Sequence, residues 1–406
     1  MAHGRIRLIA VLCLLTAGCG SVHVPLGAAS APRNSTPQVA SSSSVPSQPA
    51  SSARVASGAR LTTPCPVAQP PRSFPASPVS NRNLVIAKLR GSDQTVIRDV
   101  TDIDHPSTIA TLDVPGWGGD WWGSPSFVSP STVSYVVDSR LMRFTVGNAA
   151  AQLLAEACYP ESIVTFGWSP DGQTFTYLLD PQDPGGVFQW HLVSGGVDRV
   201  IGTAPVWCYC GNGSEDTSLA IRFSPNGQLV SLVEDVWRGT DLQVRRLDGS
   251  LVGVEIRGDE KYPNRPTLGV WSGTDLFFRD SKGVERWRDG AITPFIPGVS
   301  WLHPRASPNG GQIVYSVRGS DGLAHVNVAD TSNGQTRQLS GQPRTWPVFL
   351  TPRYVWYRGD RLCAPNEPGI CIKATFTGKT YIYDLQTGTE WESMITDISD
   401  VWPHGA

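Results

Sequence analysis

Acidic and histidine side chains that could bind a metal ion are gathered in one short stretch of the sequence, DVTDIDHP at residues 99–106. Asp99, Asp102 and Asp104 carry carboxylate oxygens, which are the ligands that calcium prefers, and His105 follows them. The spacing of these acids does not match a known calcium-binding loop, so we interpret the stretch as a solvated turn. We predict no metal site and no cofactor for this chain.

The sequence lacks the motifs of three common enzyme classes. It contains no Gly-x-Ser-x-Gly nucleophile elbow, no His-Glu-x-x-His zinc site and no glycine-rich phosphate loop. His191 and His325 fall within strand patterns, where a histidine is more often a packed structural residue than a general base. We therefore assign no catalytic residue. The alternative is a set of acids in a central funnel, whose convergence a single sequence does not reveal.

The N-terminus has the pattern of an export signal. His3, Arg5 and Arg7 precede an apolar run over residues 6–17, which suits a secretory signal and is too short to span a bilayer. The run ends in LLTAGCG, which resembles the bacterial lipobox, with Thr16 where leucine is more common. This resemblance implies cleavage after residue 18 and a lipid on Cys19, which would anchor the protein to the outer face of the cell membrane. A plain secretory peptide without a lipid is the alternative.

Residues 19–80 have the composition of a disordered tether. They are rich in serine, proline and alanine, as in ASSSSVPSQPASSARVASGAR, and contain almost no aromatic or long aliphatic side chain. Such a segment does not bury enough apolar area to offset its ordering entropy. A flexible chain of about 60 residues has a root-mean-square reach of about 40 to 45 Å, so the domain that follows could stand clear of the membrane.

Six cysteines follow Cys19, and an even number in an exported protein favours disulfides. Cys363 and Cys371 bracket a single loop and are the pair that we predict most firmly. Cys158 could reach Cys208 or Cys210, and Cys65 could take the one that remains. Zinc binding by Cys208 and Cys210 is disfavoured, because no second pair of cysteines or histidines stands at zinc spacing.

A hairpin motif repeats along the chain. FGWSPDGQTFTYLLD at 166–180, IRFSPNGQLVSLVED at 221–235 and PRASPNGGQIVYSVRG from Pro304 share a Ser-Pro-Asp/Asn-Gly turn. Proline presets φ, Asp or Asn bonds its own backbone and glycine accepts a positive φ, so each copy predicts two strands joined by a tight turn. A second hairpin follows every copy, and four strands per repeat are typical of a β-propeller blade. Degenerate copies begin at Pro125, Leu268 and Pro347.

The length of the repeat region indicates the number of blades. Residues 81–406 give about 47 residues per blade for seven blades and about 54 for six, against a usual value of about 40 to 50. NLVIAKL, QTVIRDV and PSTIATLD predict three N-terminal strands, and the C-terminal ISDVWPHG has the pattern of an innermost strand. We predict an all-β propeller of seven four-stranded blades, closed by N- and C-terminal strands in one blade. Six blades with an extra hairpin is the alternative.

Long connections and aromatic residues are predicted to share one face of the ring. We call it the crossing face, because it carries the blade-to-blade crossings and the loops between second and third strands; the short turns lie on the opposite hairpin face. Insertions gathered on one face usually mark the binding face. We predict a partner-binding surface there, with wedging between blades as the alternative for each residue. Its predicted members are Trp117, Trp121, Trp122, Tyr159, Trp207, Tyr209, Tyr262, Trp301, His303 and Trp346.

The Ser-Pro-Asp-Gly turns, together with the YIYDLQTG hairpin at 381–388, resemble the TolB-like propeller family, and the resemblance covers nearly all of the chain after residue 80. It implies the propeller fold and the binding of proteins or glycans in the cell envelope. TolB itself carries a small α/β domain before its propeller, whereas the tether occupies that place here. The particular partners of TolB are therefore not expected for this chain.

Composition narrows the function further. The chain is 40% hydrophobic and 17% charged, as in ordinary soluble globular proteins, with a net charge of −2 and scattered arginines, so we expect no nucleic-acid partner. We expect a monomeric, non-catalytic, lipid-anchored scaffold that binds an envelope protein or a cell-wall glycan. The alternative is a propeller hydrolase or lyase acting on glycans or lactones.

Overall fold

The computed structural model describes residues 81–403 except 113, 115–123, 149, 159, 182–186, 206–218, 237–238, 258–266, 281 and 360–377. Within these residues the fold is all-β, with 28 strands arranged in seven four-stranded antiparallel sheets that form a ring. The described part contains no helix long and apolar enough to cross a membrane. The predicted signal peptide (1–18), the lipidated Cys19 and the tether (19–80) lie outside the described residues.

Each sheet is one blade, and the first four blades are built in the same way from the ring axis outward. Their strands, innermost first, are β28 (Ile395–Trp402), β1 (Leu84–Leu89), β2 (Thr95–Asp99) and β3 (Ser107–Leu112) in blade 1; β4 (Ser126–Ser129), β5 (Thr132–Val137), β6 (Arg140–Thr145) and β7 (Gln152–Glu156) in blade 2; β8 (Ser162–Trp168), β9 (Thr174–Asp180), β10 (Val187–Ser194) and β11 (Val197–Pro205) in blade 3; and β12 (Leu219–Phe223), β13 (Leu229–Val236), β14 (Gly239–Arg246) and β15 (Leu251–Arg257) in blade 4.

Blades 5 to 7 follow the same order and complete the seven blades that the repeat predicts. They consist of β16 (Thr267–Ser272), β17 (Asp275–Asp280), β18 (Gly283–Arg288) and β19 (Ala291–Pro297) in blade 5; β20 (Trp301–Ala306), β21 (Gln312–Arg318), β22 (Ala324–Asp330) and β23 (Thr336–Gln338) in blade 6; and β24 (Arg344–Phe349), β25 (Tyr354–Gly359), β26 (Thr380–Asp384) and β27 (Glu390–Glu392) in blade 7.

The repeated turn forms by the mechanism that its residues predict. In blade 3 the hydroxyl of Ser169 donates to Asp171 Oδ1 at 2.6 Å, and the backbone N–H of Thr174 donates back to that hydroxyl at 2.9 Å. Gly172 adopts φ +66°, and a Cβ at that position would lie 3.2 Å from Cγ1 of Val128 in blade 2. The glycine therefore serves both the turn and the close approach of the neighbouring blade. Ser224 and Ser307 make the same hydroxyl bond in blades 4 and 6.

The hydrophobic core of the described residues is divided into seven clusters, each bridging two neighbouring blades. Between blades 4 and 5, for example, Val244 packs with Trp271 and Trp287, whose rings meet edge to face at 6.0 Å. The second strands of the blades, such as β5, β9 and β17, are mostly buried, whereas the outermost strands β19, β23 and β27 are mostly exposed. Because every blade depends on both neighbours for its core, the ring is the stable unit.

The ring closes because strands from the two ends of the described chain pair in the same blade. β28 pairs with β1 in antiparallel register, with Leu84 opposite Trp402, so the last strand is the innermost strand of blade 1. Asp400 Oδ2 accepts hydrogen bonds from the Ser126 hydroxyl at 2.6 Å and the Phe127 N–H at 2.7 Å, which connects β28 to β4 of blade 2. Pairing of the two ends leaves β1 with no open edge and confirms the predicted closure.

Candidate functional site

Three of the predicted partner-binding residues belong to the described part of the chain: Trp301, His303 and Trp346. They lie near the crossing-face ends of β20 and β24, the innermost strands of blades 6 and 7. The other predicted members fall outside the described residues, namely Trp117, Trp121, Trp122, Tyr159, Trp207, Tyr209 and Tyr262.

Strand β20 has a bulge at His303. Its pairing register with β21 shifts between Leu302 and Arg305, and Pro304, which has no N–H to give to the ladder, follows the histidine. His303 adopts φ +49°, a left-handed conformation that a non-glycine residue holds at a cost of about 1 to 3 kcal/mol. A bulge of this kind redirects a side chain out of the strand alternation.

Strand β24 repeats the arrangement at Trp346. Its register with β25 shifts between Thr345 and Val348, Pro347 follows the tryptophan, and φ is +59°. Two neighbouring blades thus hold the same rare backbone conformation at the same position. Strain repeated in this way persists only where the surroundings impose it, and such strain is concentrated at functional sites.

The two bulges bring His303 and Trp346 together across the boundary between blades 6 and 7. Their rings stack with centroids 4.0 Å apart and planes 25° from parallel. His303 is 9% exposed, whereas Trp346 is half-buried, with its indole Nε1 enclosed. Of the two side chains, the tryptophan is therefore the less enclosed.

Trp301 has a different position. Its side chain is fully buried, with 0% exposure, and packs beside Tyr315 with ring centroids 5.7 Å apart. It belongs to the cluster that bridges blades 5 and 6, together with Phe277 and Ile313. Trp301 thus has the packing role that the sequence leaves open for every aromatic residue of the crossings, and it presents no surface to a partner.

Arginine side chains lie around the stack. The guanidinium carbon of Arg358 is 4.8 Å from the centroid of the Trp346 ring, within cation–π range, and its Nη2 is 2.5 Å from Asp397 Oδ1. On the blade 5 side, Nη1 of Arg279 donates to the Ser300 hydroxyl at 2.9 Å and to the Trp301 carbonyl at 3.0 Å. These bonds fix both guanidinium groups in position.

The environment of His303 determines its protonation. Burial, and after it the positive charges of Arg305, Arg358 and Arg279, lower the pKa of its imidazole from 6.5 to about 3. His303 is therefore neutral across the physiological pH range. A neutral, buried imidazole supports the Trp346 ring without placing a fourth positive charge among the arginines.

Two histidines outside this region have acidic partners. His191 Nδ1 lies 2.9 Å from Asp198 Oδ1 on β11, and its ring stacks on Tyr177 at 4.7 Å. His325 Nε2 lies 3.0 Å from Asp321 Oδ2. Both histidines are part of strands, as the sequence predicts, and both are mostly buried.

The acidic run before β3 is an exposed turn. Asp102 Oδ2 lies 3.1 Å from Nδ1 of His105, and their side chains are 65% and 84% exposed. Nowhere in the described ranges do three or more His, Cys, Asp or Glu side chains meet in a geometry that could hold a metal ion.

Cys158 is disulfide-bonded. It follows β7 on the crossing face, at the start of the connection to blade 3. The other predicted disulfide cysteines lie outside the described residues, so the pairing scheme stays a prediction: these are Cys65, Cys208, Cys210, Cys363 and Cys371.

Sequence reasoning missed the charged members of the site. Arg279 comes from β17 of blade 5, Arg358 from β25 of blade 7 and Asp397 from β28 of blade 1. They are distant in the chain, and no short motif contains any of them. The sequence did contain one signal for the stacked pair. His303 in WLHPRA and Trp346 in RTWPVF both stand directly before a proline, which marks equivalent positions in two repeats.

Comparison by sequence gives no relatives, since no protein-family model and no curated protein matches the chain. Comparison by structure gives many similar folds. A TolB protein from Acinetobacter baumannii is 13% identical, with a TM-score of 0.39 over 79% of this chain and 82% of that one.

Two peptidases are also structurally similar. A prolyl endopeptidase is 16% identical, with a TM-score of 0.51 over 80% of this chain and 50% of that one. A puromycin-hydrolyzing peptidase from Mycobacterium tuberculosis is 14% identical, with a TM-score of 0.50 over 81% of this chain and 56% of that one. This chain spans about half the length of each peptidase, and at such identities the likeness shows the propeller fold alone.

Proposed function

We propose that this protein is a lipid-anchored propeller of the cell envelope that binds another envelope protein or a cell-wall polymer through its crossing face, without catalysing a reaction. We base the proposal on the stack of His303 on Trp346, held by two matching bulges among three arginines. The export pattern at 1–18 and the lipobox resemblance around Cys19 support the anchored location.

The chemistry of this surface suits recognition. A half-buried tryptophan gives a large, rigid contact area with little entropy to lose on binding. Tryptophan and arginine are the residue types that dominate the binding energy of protein interfaces. Arg358 lies against the Trp346 ring and is fixed by Asp397, so the surface is ordered before a partner arrives.

The charge of the surface indicates the kind of group that it binds. Arg279, Arg305 and Arg358 all lie close enough to His303 to lower its pKa, and Asp397 balances one of them. Around the stack these three arginines outnumber the one aspartate, which favours a partner that presents carboxylates or phosphates. Acidic wall polymers and acidic protein loops both carry such groups.

His303 supports binding better than acid–base catalysis. A general acid or base works best with a pKa near the working pH, whereas burial keeps the pKa of His303 at about 3. The carboxylates of the innermost strand β28 are already engaged, Asp397 by Arg358 and Asp400 by the start of β4. An enzyme acting on glycans or lactones stays the competing proposal.

The test is affinity capture with the full-length chain from detergent-solubilised envelope, read by mass spectrometry and glycan analysis. We compare the wild type with Trp346→Ala and with the double variant Trp121→Ala, Trp122→Ala. A partner that the wild type retains, and that both variants lose at least tenfold, would support the crossing face as the binding surface.

The control is Trp391→Ala, which removes a tryptophan that is 36% exposed from the outermost strand β27. Capture should be unchanged in this variant. If no form enriches a partner, and the wild type turns over glycan or lactone substrates with a rate that falls in Asp397→Asn, the enzyme proposal replaces the scaffold.

A further inference from the structure

A polar cleft opens on the hairpin face between blades 5 and 6, on the side of the ring opposite the crossing face. It has a volume of about 490 Å³. Its walls are the turn between β16 and β17, the end of β18, the turn between β20 and β21, and the residues directly after β22. The site is separate from the stack of His303 on Trp346 and does not depend on the function proposed for that surface.

The wall between the two blades is fixed by hydrogen bonds. The hydroxyls of Ser272 and Thr331 both donate to the carbonyl of Gly310, at 2.5 and 2.9 Å. Ser272 belongs to blade 5, whereas Gly310 and Thr331 belong to blade 6. The cleft is therefore formed before any ligand arrives, which lowers the entropy cost of binding.

Two arginines and one aspartate carry the charge of the cleft. Arg288 forks onto Asp275, with Nε 2.5 Å from Oδ1 and Nη2 2.5 Å from Oδ2, and the aspartate side chain is only 6% exposed. This pair uses both oxygens of the carboxylate. Arg286 lies 3.9 Å from the same carboxylate, too far for a hydrogen bond, so a net charge of about +1 is left in the cleft.

Arg286 is the residue that the fold leaves without an acceptor. Its guanidinium group lines the cleft, its side chain is 28% exposed, and it donates no hydrogen bond to any residue in the described part of the chain. The charge of Asp275 attracts the Arg286 guanidinium from 3.9 Å, but Arg288 already neutralises that aspartate. The N–H donors of its rigid fork that face the cleft are thus available for a planar anion.

The remaining lining identifies the rest of the ligand. Apart from the charged residues it consists of serine, threonine, asparagine and glycine, with no aliphatic or aromatic side chain. Hydroxyl and amide groups such as those of Thr274 and Asn309 exchange hydrogen bonds with a polyol. The volume lies in the range of about 300 to 1,000 Å³ that is usual for small-molecule sites. We propose that this cleft binds an acidic saccharide, with the carboxylate of a uronic acid on Arg286 and the sugar hydroxyls on the neutral walls.

The proposal is tested by calorimetric titration of the full-length protein with glucuronic acid, with glucose as the neutral match and inorganic phosphate as a bare oxyanion. The wild type should bind glucuronic acid and not glucose. Arg286→Gln should weaken the binding of glucuronic acid at least tenfold, and Arg286→Lys should do so as well because lysine lacks the fork. Arg318→Gln, which changes an exposed arginine of the crossing face, should bind as the wild type does.

Three results would overturn the proposal: no binding of glucuronic acid at millimolar concentration, equal binding by the wild type and Arg286→Gln, or binding of phosphate without glucuronic acid. Melting temperatures of all variants report whether they fold. If Arg286→Gln is unfolded, Thr274→Trp provides the second variant, because an indole at that exposed turn position would fill the cleft and should abolish binding.

Discussion

His303 stacks on Trp346 across the boundary between blades 6 and 7, and both residues occupy left-handed backbone at the same position of their blades. Packing between blades does not by itself require a left-handed backbone. Trp301 fills the core between blades 5 and 6 and has no positive φ. The propeller repeats a structural unit, and on the crossing face two of its repeats are modified in the same way.

The stability of the protein should depend on pH through His303. Its pKa is about 3 when folded and 6.5 when free, so below pH 6.5 the unfolded chain binds a proton that the folded chain does not. Folding stability therefore falls as the pH falls from about 7 towards 3, by up to about 1.4 kcal/mol per pH unit for this one group.

The variant His303→Asn isolates this effect, since asparagine tolerates a left-handed backbone but does not titrate. It should be less stable than the wild type at pH 7.5, because the stack is lost. The difference in unfolding free energy should shrink by about 2 kcal/mol by pH 5, measured by urea denaturation at both values. A difference that is constant between these pH values would show that His303 titrates in the folded protein as it does in the unfolded chain, which contradicts the lowered pKa.

Gly172 should be harder to replace than an ordinary turn glycine. Gly172→Ala adds strain at φ +66° and also pushes a methyl group against Val128, where a Cβ would lie 3.2 Å from Cγ1 and 3.3 Å from the carbonyl oxygen. We expect a loss of about 2 to 3 kcal/mol in unfolding free energy.

Gly91→Ala is the matched control, because Gly91 has φ +77° and no heavy atom within 4 Å of the added Cβ. It should cost about 1 kcal/mol, from backbone strain alone. Denaturant titration of both variants measures the difference. Equal losses would mean that the approach of blade 2 to this turn is not as close as the geometry indicates.

Removal of the last strand should open the ring. A chain that ends at Met394 lacks β28, so β1 loses its inner partner and the cluster that contains Val85, Trp356 and Ile395 loses one wall. We expect a lower melting temperature and concentration-dependent association by light scattering, since β1 becomes a free edge. A chain that ends at Pro403 retains β28 and should behave as the full chain does. A monomeric, equally stable chain ending at Met394 would contradict the closure.

The fold could be predicted from the sequence because its determinants are local. Ser169, Pro170, Asp171 and Gly172 contain the whole mechanism of their turn, and the same four positions recur at 224–227 and 307–310. When the repeats are counted along the chain, three strands are left over at the N-terminal end and one at the C-terminal end. These four strands form blade 1, which closes the ring.

The candidate site could be predicted only in part, because its determinants are not local. Sequence position places both Trp346 and Trp301 on the crossing face. Only the packing shows that Trp301 is enclosed by Tyr315 and its neighbours. Arg286 and Asp275 of the cleft likewise stand on different strands of blade 5. Convergence of this kind is a property of the assembled ring.

The pairing of β28 with β1 also sets the order of events during folding. Six blades can form from consecutive strands, but in blade 1 the inner edge of β1 stays open until the C-terminal strand reaches it. Throughout that interval the open edge can pair with the wrong chain. The time that β28 takes to reach β1 therefore becomes a determinant of how much protein reaches its native state.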